Sequence, residues 1–471
     1  MKVAKIVVLG AGVCGLASGM MLARDGHEIT VLERDDGPVP ESAEQAWEHW
    51  SRAGVTQFRQ AHYLQPRGYA VLESALPDVA FALAAAGAVQ FNSLCLMPPT
   101  VTDRAPRPGD ERFITTTARR PALEQVLARA AQAEPRLETH RGVSAEGLIT
   151  RPYNGAPHVT GVRIDSGGEL TADLVIDAMG RRSRLPQWLS EAGGQPVQEE
   201  VEEAGFIYYT RFFRSPNGAT PPPRGPLLAH VGTFSLVTLP GDNGTWSVTV
   251  FISTGDRPLK RLREPDRWTS VVAACPLQAH WLEGEPITEI IAMSGAMDRY
   301  RRLSVDGKPV ATGIAPLADA WACTNPVLGR GMTLGLLHAQ HLRDAVRAHL
   351  EDPHEFAEVW DQVTEAEVTP WFRETVAESR TRLREVDALR KGTEPAQPSG
   401  PGDELRAALL AAMPHDPDLF RAFLESRCCI TPLRETLARP DLVQRILELA
   451  RARERLPIPG PNRDRLLALL N

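Results

Sequence analysis

The sequence predicts an α/β fold: a Rossmann-like dinucleotide-binding domain, an inserted antiparallel sheet and a helical C-terminal region. An apolar strand near the N-terminus runs into a glycine-rich turn and a helix. Alternating apolar runs suited to an antiparallel sheet lie at 205–213, 227–239, 246–253 and 287–293, and Asp242-Asn243-Gly244 between two of them predicts a hairpin turn. At 471 residues the chain is longer than one ordinary hydrophobic core requires. We therefore expect two or three domains.

The first element is a dinucleotide-binding turn. An apolar strand leads to Gly10-Ala-Gly12-Val-Cys-Gly15, a helix is predicted over residues 16–25, and a second strand ends on Glu33. Gly10 permits the tight turn, Gly12 lets the backbone approach a pyrophosphate, and Gly15 lets helix and strand pack closely. The helix N-terminus favours the phosphates, and the carboxylate suits a ribose diol. The alternative is a βα turn that binds nothing.

A second motif lies near residue 320. An apolar strand leads to Asp319, and Asn325-Pro326-Val-Leu-Gly329-Arg-Gly331-Met332 opens an apolar helix. This pattern resembles the second flavin motif of the glutathione-reductase-like flavoproteins, in particular the aromatic-hydroxylase and squalene-epoxidase-like branch. The resemblance implies FAD, with the aspartate on the ribityl chain and the turn against the isoalloxazine. Ala318-Asp319 replaces the usual Gly-Asp.

Two more segments fit the same resemblance, which covers about residues 1 to 345. The family has an arginine at a strand-to-helix junction that contacts the flavin cofactor. That position is Arg120, with Arg119 as the second choice. A later strand ends in Asp177-Ala-Met-Gly180, where hydroxylases that bind NADPH show Asp-Gly. NAD(P)H is therefore expected as the electron source either directly or through a flavin reductase.

The expected cofactor contacts come from several separate parts of the chain. They are Gly10, Gly12, Val13, Cys14, Gly15, Glu33, Arg34, Arg120, Val143, Asp319, Pro326, Gly329, Gly331 and Met332.

The resemblance implies an FAD-dependent monooxygenase. Reduced FAD would meet molecular oxygen, form a C4a-hydroperoxide, and hydroxylate or epoxidise a hydrophobic aromatic or olefinic small molecule of secondary metabolism. Such chemistry needs no side-chain nucleophile, and it needs an apolar pocket because water promotes loss of the peroxide. A dehydrogenase or reductase without oxygen insertion is the main alternative. A flavin-dependent halogenase and a flavin-binding protein without turnover are further alternatives.

Catalytic candidates are few. Arg59 and His62 lie in the segment where family members carry a loop beside the flavin, and they are candidates for orienting substrate or moving a proton. A structural histidine is the alternative. On the strand GFIYYTRFF, alternation sends Tyr209 and Arg211 to one face and Tyr208 to the other. Tyr209 is our candidate for substrate contact, and plain sheet residues are the alternative.

The predicted domains are discontinuous. The FAD-binding domain takes 1–85, 111–190 and 300–345, the substrate domain takes 86–110 and 191–299, and the C-terminal helical region takes 346–471. The helical unit that follows a Pro- and Gly-rich linker at 391–403 is compatible with covering the active site, mediating dimerisation or filling out the fold.

Composition and charge limit the kinds of binding partner that the protein can have. A net charge of −7 argues against a nucleic-acid partner. No apolar run approaches the 18 residues of a membrane span, and the early first strand leaves no room for a signal peptide. The six cysteines show no metal-binding spacing, so no metal site is predicted. We expect a cytoplasmic protein.

Overall fold

A five-stranded parallel sheet forms the centre of the dinucleotide-binding domain in the computed structural model, which describes residues 3–398, 400–451 and 457–471. Across the sheet the strands are Ile314–Pro316, Leu174–Asp177, Lys5–Leu9, Glu28–Glu33 and Leu137–Arg141. All neighbours pair in parallel. Their carboxyl ends therefore meet at one edge, where ligands bind in sheets of this kind.

Alternate residues of the first strand enter two hydrophobic cores. Ile6 and Val8 pack against helices on one face, whereas Val7 and Leu9 pack against an antiparallel meander on the other. The helices are Val13–Arg24, Arg120–Ala133 and Gly331–His349, and the meander strands are Ala145–Tyr153, Ala156–Ile164 and Glu169–Thr171. Because both faces are covered, the strand is apolar throughout its buried length.

The inserted domain is built on a second, antiparallel sheet. Its path is Leu228–Val231, Phe234–Pro240, Thr245–Ser253, Phe206–Arg214 and Glu285–Pro286, with Ile291–Met293 also paired to Phe206–Arg214. The predicted hairpin turn at Asp242-Asn243-Gly244 is present, with Asn243 at φ 51 and Gly244 at φ 67. Left-handed values at both positions match the twist that joins adjacent strands.

Two strand predictions in this domain are wrong in extent. The apolar run at 227–239 was expected as one strand but forms two, since the chain turns at Gly232 with φ 49. The run at 287–293 forms a strand only over Ile291–Met293. In both cases apolar side chains continue through a turn, so hydrophobicity alone does not show the break.

A third sheet was not predicted. Gln198–Glu203, Met297–Arg302 and Ala322–Cys323 form its antiparallel strands. The sequence QEEVEE of its outer strand has no apolar alternation, and every residue in it is exposed. Ion pairs such as Glu200 with Arg373, at 2.6 Å, accompany it.

The remaining strands form short pairs. Val89–Asn92 pairs with Ile114–Thr117, and Ser304–Val305 pairs with Lys308–Pro309. The first pair joins segments that the sequence assigned to different domains.

Helices dominate after residue 345, as predicted. They are Pro353–Val363, Thr369–Arg390, Pro401–Ala412, Pro417–Arg427, Leu433–Thr436, Pro440–Ala450 and Arg463–Leu469. The helix Pro417–Arg427 packs Phe420 and Leu424 against Met97 and Phe113, and Leu466 of the last helix enters the core of the inserted domain. The C-terminal region is thus packed against both predicted domains.

Five further helices complete the described structure. They are Ala43–His49, Pro66–Ala75, Pro77–Ala85, Leu185–Glu191 and Pro265–Ala273. No single helix within the described residues has the length and apolarity to cross a membrane, and one bent pair, Pro66–Ala75 with Pro77–Ala85, passes by length and composition only.

Candidate cofactor and substrate site

One cavity of about 850 Å³ joins the carboxyl edge of the parallel sheet, the inserted sheet and the C-terminal helices. All fourteen residues expected to contact the cofactor line it. The sequence places these residues in distant parts of the chain, from Gly10 to Met332, and the fold brings them to one surface.

The first glycine turn leaves room for a phosphate. A Cβ atom on Gly12 would meet nothing within 4 Å, whereas one on Gly15 would lie 2.0 Å from the carbonyl oxygen of Gly10. Gly10 has φ +107. The helix that follows has neither an acidic residue in its first turn nor a capping side chain. Its N–H groups are therefore available to an anion.

Glu33 is held by protein groups at the carboxyl end of the strand Glu28–Glu33. Arg52 Nη2 donates to Glu33 Oε2 at 2.7 Å, the Ala11 N–H donates to the same oxygen at 3.0 Å, and the Asp35 N–H donates to Oε1 at 3.0 Å. Glu33 still lines the cavity. These bonds fix the direction of its carboxylate.

Arg52 links this end of the cavity to Arg120. Arg52 also donates to Glu124 Oε2 at 2.8 Å, and Arg120 Nε donates to Glu124 Oε1 at 2.6 Å. Arg120 Nη1 then donates to His62 Nε2 at 3.0 Å. The sequence pattern has no signal for the pairing of Arg52 with Glu124, because these two residues lie 72 positions apart in the chain.

His62 is a neutral acceptor at this site. Since Nε2 accepts from Arg120, the proton sits on Nδ1, which donates to the Gln60 carbonyl at 2.9 Å. Burial, together with the neighbouring Arg120, lowers the pKa of His62 to about 3. Both ring nitrogens are engaged, so the side chain orients Arg120 and is not arranged as a proton carrier.

Asp319 presents an unpaired carboxylate to the cavity. No described residue forms a hydrogen bond with its side chain, and burial raises its pKa although Arg120 and Arg181 act in the opposite direction. Asp319 is half-buried, and a carboxylate that is partly shielded from water and has no partner is costly. Hydroxyl groups of a ribityl chain are donors of the kind that would satisfy it.

The residue before this aspartate adopts an unusual backbone conformation. Ala318 has φ 52, and its N–H donates to His338 Nδ1 at 3.2 Å. His338 Nε2 in turn donates to Thr364 Oγ1 at 3.0 Å, and the ring stacks on Trp360 at 4.3 Å. The alanine found where the family has glycine is thus held in the left-handed region by a buried histidine.

The turn at Pro326–Met332 has an open face and a tightly anchored side. A Cβ atom on Gly331 would meet nothing within 4 Å, and Gly329 has φ +61. Between them, Arg330 is buried and donates to Glu374 Oε1 at 2.9 Å and to the Ser426 carbonyl at 2.8 Å. The glycines face the cavity while the arginine binds the C-terminal region.

Two catalytic candidates are not at the cavity. Arg59 donates to the carbonyls of Trp47, at 3.0 and 2.9 Å, and Trp50, at 3.2 Å, and it does not line the cavity. It fixes a loop. Tyr209 packs in the core on the far face of the inserted sheet. Its backbone carbonyl accepts from Trp268 Nε1 at 3.0 Å.

Tyr208 is the tyrosine that lines the cavity. Its hydroxyl donates to Asn325 Oδ1, the residue before the flavin-motif proline, and Asn325 Nδ2 donates to Ser379 Oγ at 2.7 Å. The predicted alternation of the two tyrosines is confirmed, but the assignment of faces is reversed. Alternation separates the two faces without telling which one is the cavity side.

The wall contributed by the inserted sheet and the C-terminal helices is mainly apolar. Its members include Leu228, Val237, Leu239, Met293, Leu410, Met413, Phe420, Phe423 and Leu424. The last five come from the C-terminal region, which therefore lines the site. The sequence has no signal for where the apolar face that carries Leu410 and Met413 packs.

The Asp177 turn lies at the cavity edge. Asp177 is fully buried, accepts from the Met179 N–H at 3.0 Å and from Ser183 Oγ, and burial raises its pKa to about 6. The turn places Arg181 and Arg182 on the cavity lining.

The sequence comparison identifies the class of this site. Residues 3–352 match the family described as FAD binding domain, and the chain belongs to that family. It is a flavoprotein, and the open glycine turns and the unpaired Asp319 carboxylate fit the pyrophosphate and ribityl parts of FAD. The chain is also similar to Protein Rv3254 of Mycobacterium tuberculosis (strain ATCC 25618 / H37Rv), with 29% identity over 368 residues, 73% of either chain.

Solved structures share the fold. PqsL from Pseudomonas aeruginosa, described as a probable FAD-dependent monooxygenase, has a TM-score of 0.60 at 17% identity, over 83% of this chain and 98% of that chain. OxyS anhydrotetracycline hydroxylase from Streptomyces rimosus has a TM-score of 0.57 at 17% identity, over 91% of this chain and 76% of that chain. These likenesses establish the fold and not the reaction.

Proposed function

We propose that the protein is an FAD-dependent monooxygenase that inserts one oxygen atom of dioxygen into a hydrophobic aromatic or olefinic small molecule. One observation carries the proposal: a single cavity is lined both by the fourteen residues expected to contact the cofactor and by an apolar wall. The fold neighbours, named as a monooxygenase and a hydroxylase, support the same reaction class.

FAD, when bound and reduced, supplies the activation of dioxygen. The chain's residues hold and shape the reacting groups. The helix Gly331–His349 begins at the cavity with neither an acidic residue in its first turn nor a capping side chain. Its N–H groups stabilise negative charge placed against them. Asp319 would accept hydrogen bonds from the hydroxyls of the bound cofactor.

The apolar wall excludes water from the reacting atoms. Leu228, Val237 and Met293 line it from the inserted sheet, and Phe420 and Phe423 line it from the C-terminal helices. Water in such a site strengthens competing reactions and weakens electrostatic stabilisation. A wall of this kind also selects substrates with a large apolar surface.

Polar groups within this wall orient the substrate. Tyr208 donates its proton to Asn325, so the lone pairs of its hydroxyl are left to accept from a substrate hydroxyl. Thr210 Oγ1 donates to Gln60 Oε1 at 2.9 Å, and the Gln60 amide nitrogen then has donors for a substrate oxygen. Tyr208, Thr210 and Gln60 all line the cavity.

We further propose that a separate flavin reductase delivers the electrons. The Asp177-Ala-Met-Gly180 turn departs from the Asp-Gly pair of hydroxylases that bind NADPH. Direct reduction by NADPH is the alternative.

Oxygen reactivity of the reduced holoenzyme tests the proposed function. The FAD-loaded protein is reduced photochemically, mixed with oxygenated buffer, and followed by flavin absorbance and by hydrogen peroxide release. We expect rapid reoxidation, with peroxide as the product when no substrate is present. Gly331→Val is the control, because its side chain would occupy the open space at the turn while the ADP half stays bound. Slow reoxidation of the wild type would favour a dehydrogenase.

A further inference from the structure

The C-terminal helix Pro417–Arg427 places one charged side chain in the apolar wall. Among the described residues that the inserted sheet and the C-terminal helices contribute to the cavity, Arg427 is the only Asp, Glu, Lys or Arg. The described acidic residues of the lining, Glu33 and Asp319, belong to the cofactor end. A cation in a wall that lacks carboxylates attracts an anionic ligand.

Arg427 is held in place by an ion pair and by contact with an aromatic ring. Its Nη2 donates to Glu378 Oε1 at 2.6 Å, and its guanidinium lies 5.1 Å from the ring centre of Phe423. Although burial alone would raise the pKa of Glu378, Arg427 and Arg406 lower it to about 2. The carboxylate therefore stays ionised and keeps the guanidinium in place.

The guanidinium retains an unused donor. Nη1 of Arg427 is buried and has no hydrogen-bond partner among the described residues. The Arg427 side chain as a whole is 26% exposed, so it presents surface to the cavity that it lines. Arg406 Nη2 also approaches Glu378, at 3.3 Å from Oε2, so two guanidiniums share one carboxylate and the cluster keeps positive charge.

Aromatic side chains beside this cation define the rest of the ligand. Phe420 and Phe423 line the cavity on the same helix as Arg427, with Met413 and Pro414 close by in the chain. Flat apolar surfaces of this kind bind aromatic rings. Charge and shape together describe a ligand with an extended aromatic body and an ionised oxygen group.

We propose that Arg427 is a specificity-determining residue, and that the substrate is an extended aromatic molecule bearing a carboxylate or a similar oxyanion that pairs with it. This inference rests on the proposed function for its reaction but concerns binding alone. The C-terminal helical region then selects the substrate as well as closing the cavity.

Binding of matched probes to the oxidised, FAD-loaded enzyme tests this proposal without any turnover. The probes are anthracene-2-carboxylate and its neutral analogue anthracene-2-carboxamide, followed by calorimetry and by the change in flavin absorbance. We expect the wild type to prefer the carboxylate by roughly tenfold to a hundredfold, the range for a hydrogen bond to a charged group. Benzoate should bind more weakly than the three-ring acid.

Two variants separate a specific contact from general damage. Arg427→Gln should abolish the preference for the carboxylate while leaving carboxamide affinity unchanged. Arg406→Gln removes the other cation on Glu378 but does not line the cavity, so it should keep the preference. Equal binding of the two probes by the wild type, binding of neither, or an intact preference in Arg427→Gln would each overturn the proposal. An enzyme that fails to react with oxygen yet discriminates the probes would refute only the proposed reaction.

Discussion

A histidine outside the cavity sets the geometry of the turn that presents Asp319. Ala318 occupies the left-handed region, where a Cβ atom is unfavourable, and His338 accepts its N–H. The same turn presents Asp319. A departure from the family's glycine is therefore tolerated because a buried ring stabilises the strained turn. His338 acts as a positioning residue for this turn.

The buried His338 predicts a pH dependence of stability. Burial lowers its pKa from about 6.5 to about 3, so between these values the unfolded chain binds a proton that the folded chain does not. Stability from this group is present above pH 6.5 and is lost as the pH falls below it. Well below pH 6.5 one such proton lowers the free energy of unfolding by about 1.4 kcal/mol per pH unit. Because the slope is smaller near pH 6.5, the loss between pH 7 and pH 5 is about 2 kcal/mol.

Urea titrations of the flavin-free protein at pH 7 and pH 5 measure this effect. His338→Asn keeps an acceptor for the Ala318 N–H but does not titrate. When the pH is lowered from 7 to 5, the free energy of unfolding of His338→Asn should fall less than that of the wild type. The expected difference between the two falls is about 2 kcal/mol. The same fall in both proteins would show that His338 is not responsible.

Glu33 predicts a difference between two flavins. Glu33→Gln weakens a charge-assisted bond to the adenosine ribose, so FAD affinity should drop roughly tenfold to a hundredfold. FMN lacks the adenosine half, and its weaker binding should not change. Glu28→Gln, at an exposed position of the same strand, is the matched control. A parallel loss of FMN binding would mean that breaking the Arg52 pair has distorted the site.

Site residues could be predicted from the sequence where the backbone conformation of a turn requires a particular residue type. Glycines and the aspartate of the two motifs have fixed spacing within their own turns, and all of them line the cavity. The candidates Arg59 and Tyr209 do not line the cavity, because their position depends on which face of a loop or strand meets it. That choice is made by distant partners such as Trp268, which the local pattern does not contain.

Arg330 connects two elements that the sequence treats as unrelated. It belongs to the flavin-motif turn, yet its guanidinium binds Glu374 on the helix Thr369–Arg390 and Ser426 on the helix Pro417–Arg427. It also lies 5.3 Å over the ring of Trp371. The helix that supplies part of the apolar wall is therefore anchored directly to the glycine turn at the same cavity.

Removal of this anchor should loosen the C-terminal helices. Arg330→Met leaves Glu374 without its buried partner, a change that costs on the order of 3–5 kcal/mol in comparable buried pairs. We expect faster amide hydrogen exchange in residues 417–427 and unchanged exchange in the strand Lys5–Leu9. Arg373→Met, on the same helix as Glu374 but paired to Glu200 at the surface, is the control. Unchanged protection of residues 417–427 would contradict the anchoring role.

Element prediction succeeded where a periodic apolar pattern coincides with one element. The first strand, the following helix and the Asp242-Asn243-Gly244 hairpin have clear local signals, and all are present. The strand Gln198–Glu203 has none, because its partners across the sheet and its ion pairs supply the stabilisation. Long-range pairing of this kind leaves no periodic signal in the chain.

The cavity exists only because three parts of the chain meet. The parallel sheet supplies the cofactor end, and the inserted sheet and the C-terminal helices supply the apolar wall. The sequence established the first part through motifs and the second as an insertion. It left the C-terminal region with three possible roles, and the structure places that region on the cavity.

The source of electrons is a property of the complete enzyme. The Asp177-Ala-Met-Gly180 turn predicts slow reduction of the bound flavin by NADPH alone, with turnover restored by an added flavin reductase. Stopped-flow absorbance measures the first step. Reduction by NADPH at an ordinary enzymatic rate, on the order of 10 per second, would show that the chain accepts electrons directly.

Isotopic labelling tests the monooxygenase assignment most directly. The FAD-loaded enzyme is reduced photochemically under anaerobic conditions, mixed with aromatic and olefinic carboxylates, and exposed to ¹⁸O₂ for a single turnover. We expect a product that carries one ¹⁸O atom, with the second atom in water, and a matching fall in hydrogen peroxide release. If the flavin reoxidises slowly and no compound acquires ¹⁸O, the assignment is contradicted and an oxygen-independent dehydrogenase takes its place.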